Sequence, residues 1–251
     1  MSSEADRAGI QQGLVEQASQ VVHQVEERAQ QHVVEPTVAR SRSRWFLAAA
    51  LVALCGFVAL LLRVRANPRL EQDVVVTLRM QRVKHPTLSR AMRCVSWFGF
   101  RPQSLVLPAA AVGGTWFAGL RRDARYLVVA WLASLLSWST KRVVRRPRPF
   151  GEGILVTKAG LRDSSFPSGH TLHYTAFWGF FAYICFTEIR GKWSRWGPVA
   201  AVTSLVGAVG PSRIYLGHHW LTDVLASYCL GVAFLASLIG VHRRNLSDAE
   251  R

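Results

Sequence analysis

"FPSGHTLHYTAFWGFFAYICF", residues 166–186, decides the fold class, because a long apolar run begins directly behind four residues of special chemistry. A bilayer core of about 30 Å requires roughly 20 apolar residues per helix. Runs of this length are uncommon in soluble proteins, so the stretch predicts a membrane-spanning helix rather than a buried helix of a soluble α-protein. Crossing a membrane does not require Pro167, Ser168, Gly169 and His170, and their presence at its mouth indicates a polar site.

Similar apolar runs recur along the chain and predict an all-α polytopic membrane protein, a bundle of six transmembrane helices. The fifth run is the shortest and is rich in glycine. The runs are Trp45–Leu62, Gln103–Leu120, Tyr126–Val144, Thr171–Thr187, Trp196–Gly210 and Leu221–Val241.

The remaining segments divide the chain further. Residues 1–39 form an acidic N-terminal tail, predicted to be amphipathic or disordered; residues 40–244 form the membrane domain, and 245–251 a short C-terminal tail. The connection at 63–102 mixes apolar and basic residues without a spanning run. It predicts an interfacial helix with apolar side chains toward the lipid and arginines outward.

The chain carries a formal charge of +16, and this charge is unevenly distributed. Residues 1–39 have a net charge of −4, so the remainder carries +20. The basic residues lie between apolar runs rather than on one soluble face, which argues against nucleic acid and favours membrane lipids and lipid phosphates as partners. Basic residues in the short connections of the N-terminal side favour cytoplasmic termini, an active site on the extracytoplasmic face, and location in the cell membrane. Oligomeric state is not indicated by the sequence.

Three polar clusters interrupt the membrane pattern: "KRVVRRPRP" (141–149), "PSGH" (167–170) and "SRIYLGHHWLTD" (212–223). Alternation of the spans places all three clusters on one face of the membrane. Lys141, Arg148 and Arg213 supply cations, Ser168 a hydroxyl and Gly169 a free backbone N–H at a helix N-terminus. Such donors favour an anion and stabilise a transferring phosphoryl group, so the clusters predict a phosphate-binding site.

A nucleophile and an acid complete the predicted site. His219 and Asp223 are spaced i, i+4, so the carboxylate orients the imidazole and leaves its other nitrogen free to attack. His170 is placed to protonate the leaving oxygen. Metal-assisted hydrolysis usually requires clustered carboxylates, and the spans lack them, so neither a metal nor a cofactor is predicted.

These motifs resemble those of the phosphatidic acid phosphatase type 2 superfamily of membrane lipid phosphatases. The family patterns K-x6-R-P, P-S-G-H and S-R-x5-H-x3-D match at all eleven fixed residues, within roughly residues 45–241. The resemblance implies a six-helix bundle, a phosphohistidine on His219, His170 as general acid, and no metal requirement. It implies an integral membrane phosphatase acting on lipids such as phosphatidic acid or phosphatidylglycerol phosphate.

Several alternatives remain open at this point. The same intermediate would serve an undecaprenyl or other polyprenyl diphosphate phosphatase, or a lipid phosphotransferase. A catalytically silent lipid-binding scaffold would not need the intact motifs, and the spans count against the similar soluble haloperoxidases. Arg142, Arg145 and Arg146 are interpreted either as anchors to lipid head groups or as ligands for a second phosphate.

Overall fold

The computed structural model describes residues 36–157, 163–189, 191 and 193–249. All regular secondary structure in these residues is helical, which confirms the all-α prediction. The predicted amphipathic tail lies almost wholly outside the described residues.

Ten α-helices form the described chain, and a π-helical turn at Tyr174–Trp178 joins the seventh helix to the eighth. The helices are α1 (Pro36–Ala66), α2 (Glu71–Gln81), α3 (Pro86–Trp97), α4 (Gln103–Phe117), α5 (Arg121–Leu132), α6 (Ser134–Val144), α7 (Gly169–His173), α8 (Gly179–Glu188), α9 (Trp196–Tyr215) and α10 (Leu221–Ala249).

Three helical segments of the described chain are long and apolar enough to cross a membrane: Arg44–Ala66, Arg121–Val144 and Leu221–Asn245. They correspond to the first, third and sixth predicted spans. Large apolar side chains stand exposed on their surfaces, as expected for helices that face lipid rather than water; examples are Leu51, Val52, Val128, Leu135 and Val241. The count of six spans stays a prediction.

The core lies between the long C-terminal helix and its neighbours. Helix α10 packs most extensively against α1 and also contacts α7, α2 and the π-helical turn. One buried cluster joins Leu127 of α5, Phe177 of the π-helical turn, Phe180 of α8 and Leu238 of α10. Because these side chains come from elements far apart in sequence, their burial fixes α5, α8 and α10 around one centre.

The connection at 63–102 differs from its prediction as a single interfacial helix. It contains α2 and α3, which are separated where Pro86 begins α3. The His85 side chain caps α3 by accepting a hydrogen bond from the Thr87 backbone N–H at 3.3 Å, and a proline suits the first turn because it has no N–H to satisfy. The buried residues of α2 are polar, namely Asp73, Thr77 and Gln81. Their i, i+4, i+8 spacing places one polar face of α2 against the protein.

Helix ends carry the polar clusters toward one region. Helix α6 ends after Lys141, α7 begins behind Ser168, α9 ends after Arg213, and a short turn leads into α10. Gly217 in that turn has a φ of +70°, and a Cβ there would lie 2.3 Å from the Leu155 carbonyl oxygen. The turn before His219 therefore requires glycine for both its conformation and its close packing.

Candidate active site

The three predicted motifs meet through hydrogen bonds between their elements. Arg148 Nη1 donates to the His218 carbonyl oxygen at 2.7 Å and lies 3.5 Å from His219 Nε2. The Ser168 backbone N–H donates to the Asp223 carbonyl oxygen at 3.4 Å. The first motif therefore contacts the third, and the third contacts the second.

His219 is buried with its two ring nitrogens in different surroundings. Its Nδ1 lies 2.7 Å from the Ser165 carbonyl oxygen, which accepts the N–H, and 3.6 Å from Asp223 Oδ2. This contact selects the tautomer in which Nε2, beside Arg148, carries the free lone pair. The orienting hydrogen bond thus comes from a backbone carbonyl, while Asp223 acts at ion-pair distance instead of by the predicted direct contact.

Protonation also favours the nucleophilic form of His219. Burial, followed by the positive charges of Arg213 and Arg148, holds the pKa of His219 well below its ordinary value of 6.5. An imidazole that stays neutral at physiological pH keeps its Nε2 lone pair available for attack on phosphorus.

Asp223 is completely buried and is held by two donors. Its Oδ2 accepts from the Trp220 backbone N–H at 2.9 Å, and its Oδ1 pairs with Arg146 Nη1 at 2.5 Å. Both contacts lie at the start of α10, one turn from His219. The carboxylate is therefore fixed in place next to the imidazole.

Arg146 corrects the interpretation of the arginine run. Its guanidinium is buried and also contacts Asp73 Oδ2 at 2.6 Å and the Pro68 carbonyl oxygen at 2.9 Å. A side chain committed to these partners neither reaches a lipid head group nor binds a second phosphate. Arg142 and Arg145 are exposed, so both earlier interpretations remain available only for these two.

Two fixed residues of the second and third motifs, His170 and Arg213, carry buried polar atoms without a hydrogen-bond partner. Arg213 is fully buried, yet its Nε and Nη2 have no hydrogen-bond partner, and the same holds for His170 Nε2. The third donor of Arg213, Nη1, bonds to Ser96 Oγ. Phe100 packs its ring 4.7 Å from the His170 ring and 5.1 Å from the Arg213 guanidinium carbon. Because buried polar groups are normally paired, the free N–H groups of Arg213 are available to an anion.

Ser168 and Gly169, which are predicted to bind phosphate, have clear structural roles. Ser168 Oγ accepts from the Thr171 backbone N–H at 3.4 Å and from Thr171 Oγ1 at 2.9 Å, so it caps α7. A Cβ on Gly169 would lie 3.3 Å from Ser137 Oγ on α6. The second motif thus lets α6 and α7 approach closely, in addition to any contact with phosphate.

A carboxylate occupies the cationic mouth of the site. Lys141 Nζ lies 2.7 Å from Asp163 Oδ2, and Arg148 pairs with the other oxygen of the same carboxylate. Hydrogen bonds and charge from these two partners lower the pKa of Asp163 to about 2, against the opposing effect of burial, which is the largest single influence. The three side chains line a cavity of about 890 Å³, together with Trp138, Arg142, Arg145, Arg146, Pro147 and Ser164.

In the part of the chain that the structure describes, no three His, Cys, Asp or Glu side chains lie close enough together to hold a metal ion. The cations and histidines described above are the groups available for phosphate chemistry. They can hold phosphoryl oxygens, supply an imidazole nucleophile and move a proton.

Sequence reasoning missed Asp73, Ser165 and Phe100. Asp73 lies 73 residues from the arginine that it pairs with, and Ser165 acts through its backbone carbonyl. A signal for Asp73 did exist, because it is an acid within the apolar and basic connection at 63–102, which precedes the first motif.

Comparison with known proteins agrees with this geometry. Residues 123–247 match the PAP2 superfamily. The chain is 33% identical over 161 residues to a decaprenylphosphoryl-5-phosphoribose phosphatase of Mycolicibacterium smegmatis, covering 63% of this chain and 81% of that protein. It is 26% identical over 180 residues to phosphatidylglycerophosphatase B of Bacillus subtilis, covering 70% and 86%.

Two solved structures share the fold. The transmembrane PAP2-type phosphatidylglycerolphosphate phosphatase of Bacillus subtilis superposes with a TM-score of 0.70 at 21% identity, covering 78% of this chain and 96% of that one. LpxE of Aquifex aeolicus gives 0.53 at 20% identity, covering 67% and 93%. With all three motifs converging on one site, the chain belongs to the PAP2 superfamily.

Proposed function

We propose that this PAP2-family membrane phosphatase hydrolyses the phosphomonoester of a membrane lipid through a phosphohistidine on His219. One observation carries the proposal. His219 Nδ1 is fixed by the Ser165 carbonyl, so Nε2 is free beside Arg148. Phosphatidic acid and phosphatidylglycerol phosphate are the representative substrates, and the names of the relatives above describe phosphatases of lipid-linked phosphates.

The first step transfers the phosphoryl group to the enzyme. His219 Nε2 attacks phosphorus, the bond to the lipid oxygen breaks, and His170 gives a proton to that oxygen. Burial, followed by the charge of Arg213, holds the pKa of His170 well below its ordinary value without substrate. His170 therefore takes up this proton when the anionic phosphate binds beside it. Lys141, Arg148 and Arg213 hold the equatorial oxygens, in which negative charge is spread. Asp223 stabilises the positive charge that develops on the imidazole.

The second step returns the enzyme to its starting state. His170, now neutral, takes a proton from a water molecule that attacks the phosphohistidine. The P–N bond breaks, its electron pair returns to Nε2, and inorganic phosphate leaves. No metal or cofactor takes part in the proposed sequence, so activity is expected to survive EDTA; magnesium-dependent recovery after EDTA would contradict it.

Phosphate release from a panel of substrates tests the function. Purified protein in detergent is supplied with phosphatidic acid, phosphatidylglycerol phosphate, lysophosphatidic acid and glycerol phosphate. We expect kcat/KM to rise steeply with chain length, because burial of each methylene contributes about 0.8 kcal/mol. Equal efficiency on glycerol phosphate and on its long-chain counterpart would contradict a lipid substrate. Phosphate transfer to an added alcohol would indicate the phosphotransferase alternative.

A lipid with a second phosphate, such as a polyprenyl diphosphate, is the second candidate. Arg142 and Arg145 line the large cavity beside Lys141, and Arg142 stacks on Trp138 with its guanidinium carbon 3.7 Å from the ring centre. Changing both arginines to Gln tests this candidate without disturbing buried Arg146. Selective loss on diphosphates supports it, whereas uniform loss or none leaves the two arginines as lipid anchors.

The membrane arrangement belongs to the same proposal. We infer six spans within a domain at residues 40–244, cytoplasmic termini, and an active site on the extracytoplasmic face of the cell membrane. The basic short connections of the N-terminal side support this orientation. Glu152 is exposed in the connection that bears the first motif. In a cysteine-free background, Glu152→Cys is expected to react with an impermeant maleimide in intact cells; protection until lysis would reverse the orientation.

A further inference from the structure

A buried chain of charges connects α2 to the catalytic carboxylate. Asp73, Arg146 and Asp223 have side chains that are at most 1% exposed, and the guanidinium lies between the two carboxylates at 2.6 and 2.5 Å. A buried charge is costly unless it is paired, so three such groups in one row indicate a maintained arrangement rather than an incidental surface pair.

Asp73 also holds the beginning of α10. Its Oδ1 accepts from the Thr222 backbone N–H at 2.9 Å, and its Oδ2 accepts from Thr222 Oγ1 at 2.8 Å. Thr222 directly precedes Asp223, and Arg146 Nη1 donates to Thr222 Oγ1 as well, at 2.8 Å. The contacts therefore fix the backbone and the side chain of the turn that presents His219.

Charge gives Asp73 a second effect. Arg146 and Asp223 alone would form a neutral pair, whereas two carboxylates around one guanidinium leave a net charge of −1. After burial, the positive charges of Arg213, Arg148 and Lys141 are the next influences that lower the pKa of His219. An imidazole that gains positive charge during attack needs a negative neighbour, and Asp73 prevents Arg146 from cancelling the charge of Asp223.

We infer that Asp73 and Arg146 are positioning residues, which hold Asp223 in place and keep its negative charge available to His219 during phosphoenzyme formation. This inference rests on His219 as the nucleophile of the proposed function. Neither residue contacts the reacting atoms in this assignment; both act through Asp223.

Rapid-quench measurement of phosphoenzyme formation on a lipid phosphate in detergent tests the inference. Asp73→Asn keeps the size of the side chain and one acceptor for Thr222, but it removes the charge and replaces the other oxygen with an NH2 donor. We expect the rate to fall about 10- to 100-fold, by analogy with the outer partners of metal-ligating histidines, with KM within about 3-fold. A rate within about 2-fold of the wild type would overturn the inference.

A matched control and a double-mutant cycle separate positioning from general stability. Thr77 lies one turn along α2 and donates to the Asp73 backbone carbonyl at 2.8 Å, so Thr77→Val disturbs the same helix without changing the charges. Its rate should stay within about 2-fold, and an equal loss in both variants would overturn the inference. In an Asp223→Asn background, Asp73→Asn should cost less than about 3-fold; fully multiplicative losses would also overturn it.

Two further variants keep the result decisive. Arg146→Lys retains the charge but cannot donate in parallel to both carboxylates, so it should slow phosphoenzyme formation with KM preserved. If Asp73→Asn does not fold, an unchanged rate in Arg146→Lys overturns the inference. His219→Gln separates failure of the proposed function from failure of the positioning role. Phosphoenzyme in His219→Gln would refute the proposed function. Absence of phosphoenzyme in His219→Gln, together with full activity of Asp73→Asn, would refute only the positioning role.

Discussion

Asp163 provides the sharpest prediction about substrate binding, because its carboxylate bridges the two cations assigned to the phosphate. Lys141 Nζ and the Arg148 guanidinium both pair with it. A phosphate that uses these donors must first displace the carboxylate. We expect Asp163→Asn to strengthen the binding of orthophosphate and of vanadate, and to lower KM for the lipid.

The expected change in phosphate and vanadate binding depends on how exposed the paired side chains are. The Asp163 side chain is 55% exposed, whereas Lys141 and Arg148 are 14% and 15% exposed, so each pair is screened on the carboxylate side. Partly exposed ion pairs contribute about 0.2–1 kcal/mol each. Two of them make about 0.4–2 kcal/mol, and since 1.4 kcal/mol corresponds to tenfold, the inhibition constant should fall about 2- to 30-fold.

Competitive inhibition by orthophosphate and by vanadate, in detergent, measures this change. The pKa of Asp163 is about 2, so the carboxylate remains ionised at every practical assay pH and only substitution removes its charge. Glu152→Gln is the control, because Glu152 is an exposed acid of the same connection that forms no ion pair with Lys141 or Arg148. Unchanged or weaker inhibition in Asp163→Asn, or an equal gain in the control, would refute the reasoning.

Three other predictions follow from the same region. Gly99→Ala would place a Cβ 2.2 Å from His170 Cδ2 and displace this ring, so kcat should fall about 10- to 100-fold. The loss should be largest for substrates with poor leaving groups; an equal loss on aryl phosphates, which have good leaving groups, would contradict the role of His170 as the acid. Gly217→Ala should lower Tm by several degrees, because φ at this position is +70° and the added Cβ would lie 2.3 Å from the Leu155 carbonyl oxygen. Gly207→Ala, whose Cβ would have open space around it, should leave Tm unchanged. Equal Tm values for the two variants would contradict a strained backbone at position 217. Burial, followed by the charge of Arg213, lowers the pKa of His218 to about 4. Between about pH 4 and 6.5 the unfolded chain therefore binds more protons than the folded chain, so stability should fall as the pH drops through that window. A plot of Tm against pH from 8 to 5 should accordingly be flatter for His218→Gln than for the wild type.

The site could be predicted from sequence where its residues follow fixed local spacing. Lys141 and Arg148, and likewise Arg213, His219 and Asp223, fall at motif intervals, and the structure brings their segments together. The reason is physical: each motif is local and lies at a helix end or in the turn beside it, so fixed intervals keep its residues together.

Contacts between distant segments could not be predicted in this way. Asp73 reaches Arg146 across 73 residues, and no periodicity connects an acid of one helix to an arginine beyond the end of another. The arginine run 142–146 illustrates the difficulty, since Arg142 and Arg145 are exposed while Arg146 is buried. These neighbouring arginines differ in exposure because the chain changes direction after α6 and turns Arg146 into the protein.

A local interruption within the third predicted span was also not expected. Arg121–Val144 is one segment long enough to cross a membrane, as predicted, but Ala133, whose backbone angles are helical (φ −55°, ψ −25°), separates α5 from α6 without a proline or glycine. Ser134 Oγ lies 3.4 Å from His173 Nδ1, so a tertiary contact accompanies the break. The local sequence has no feature that predicts the position of this interruption.

Trapping the phosphoenzyme tests the central claim most directly. Purified protein is mixed with lipid labelled with ³²P in the phosphate, quenched within milliseconds, and examined for protein-bound label that is stable to base and labile to acid, as phosphoramidates are. We predict such label in the wild type, its loss in His219→Gln, and its mapping to the peptide that contains His219. Label that persists in His219→Gln, or turnover by that variant at the wild-type rate, would contradict the account.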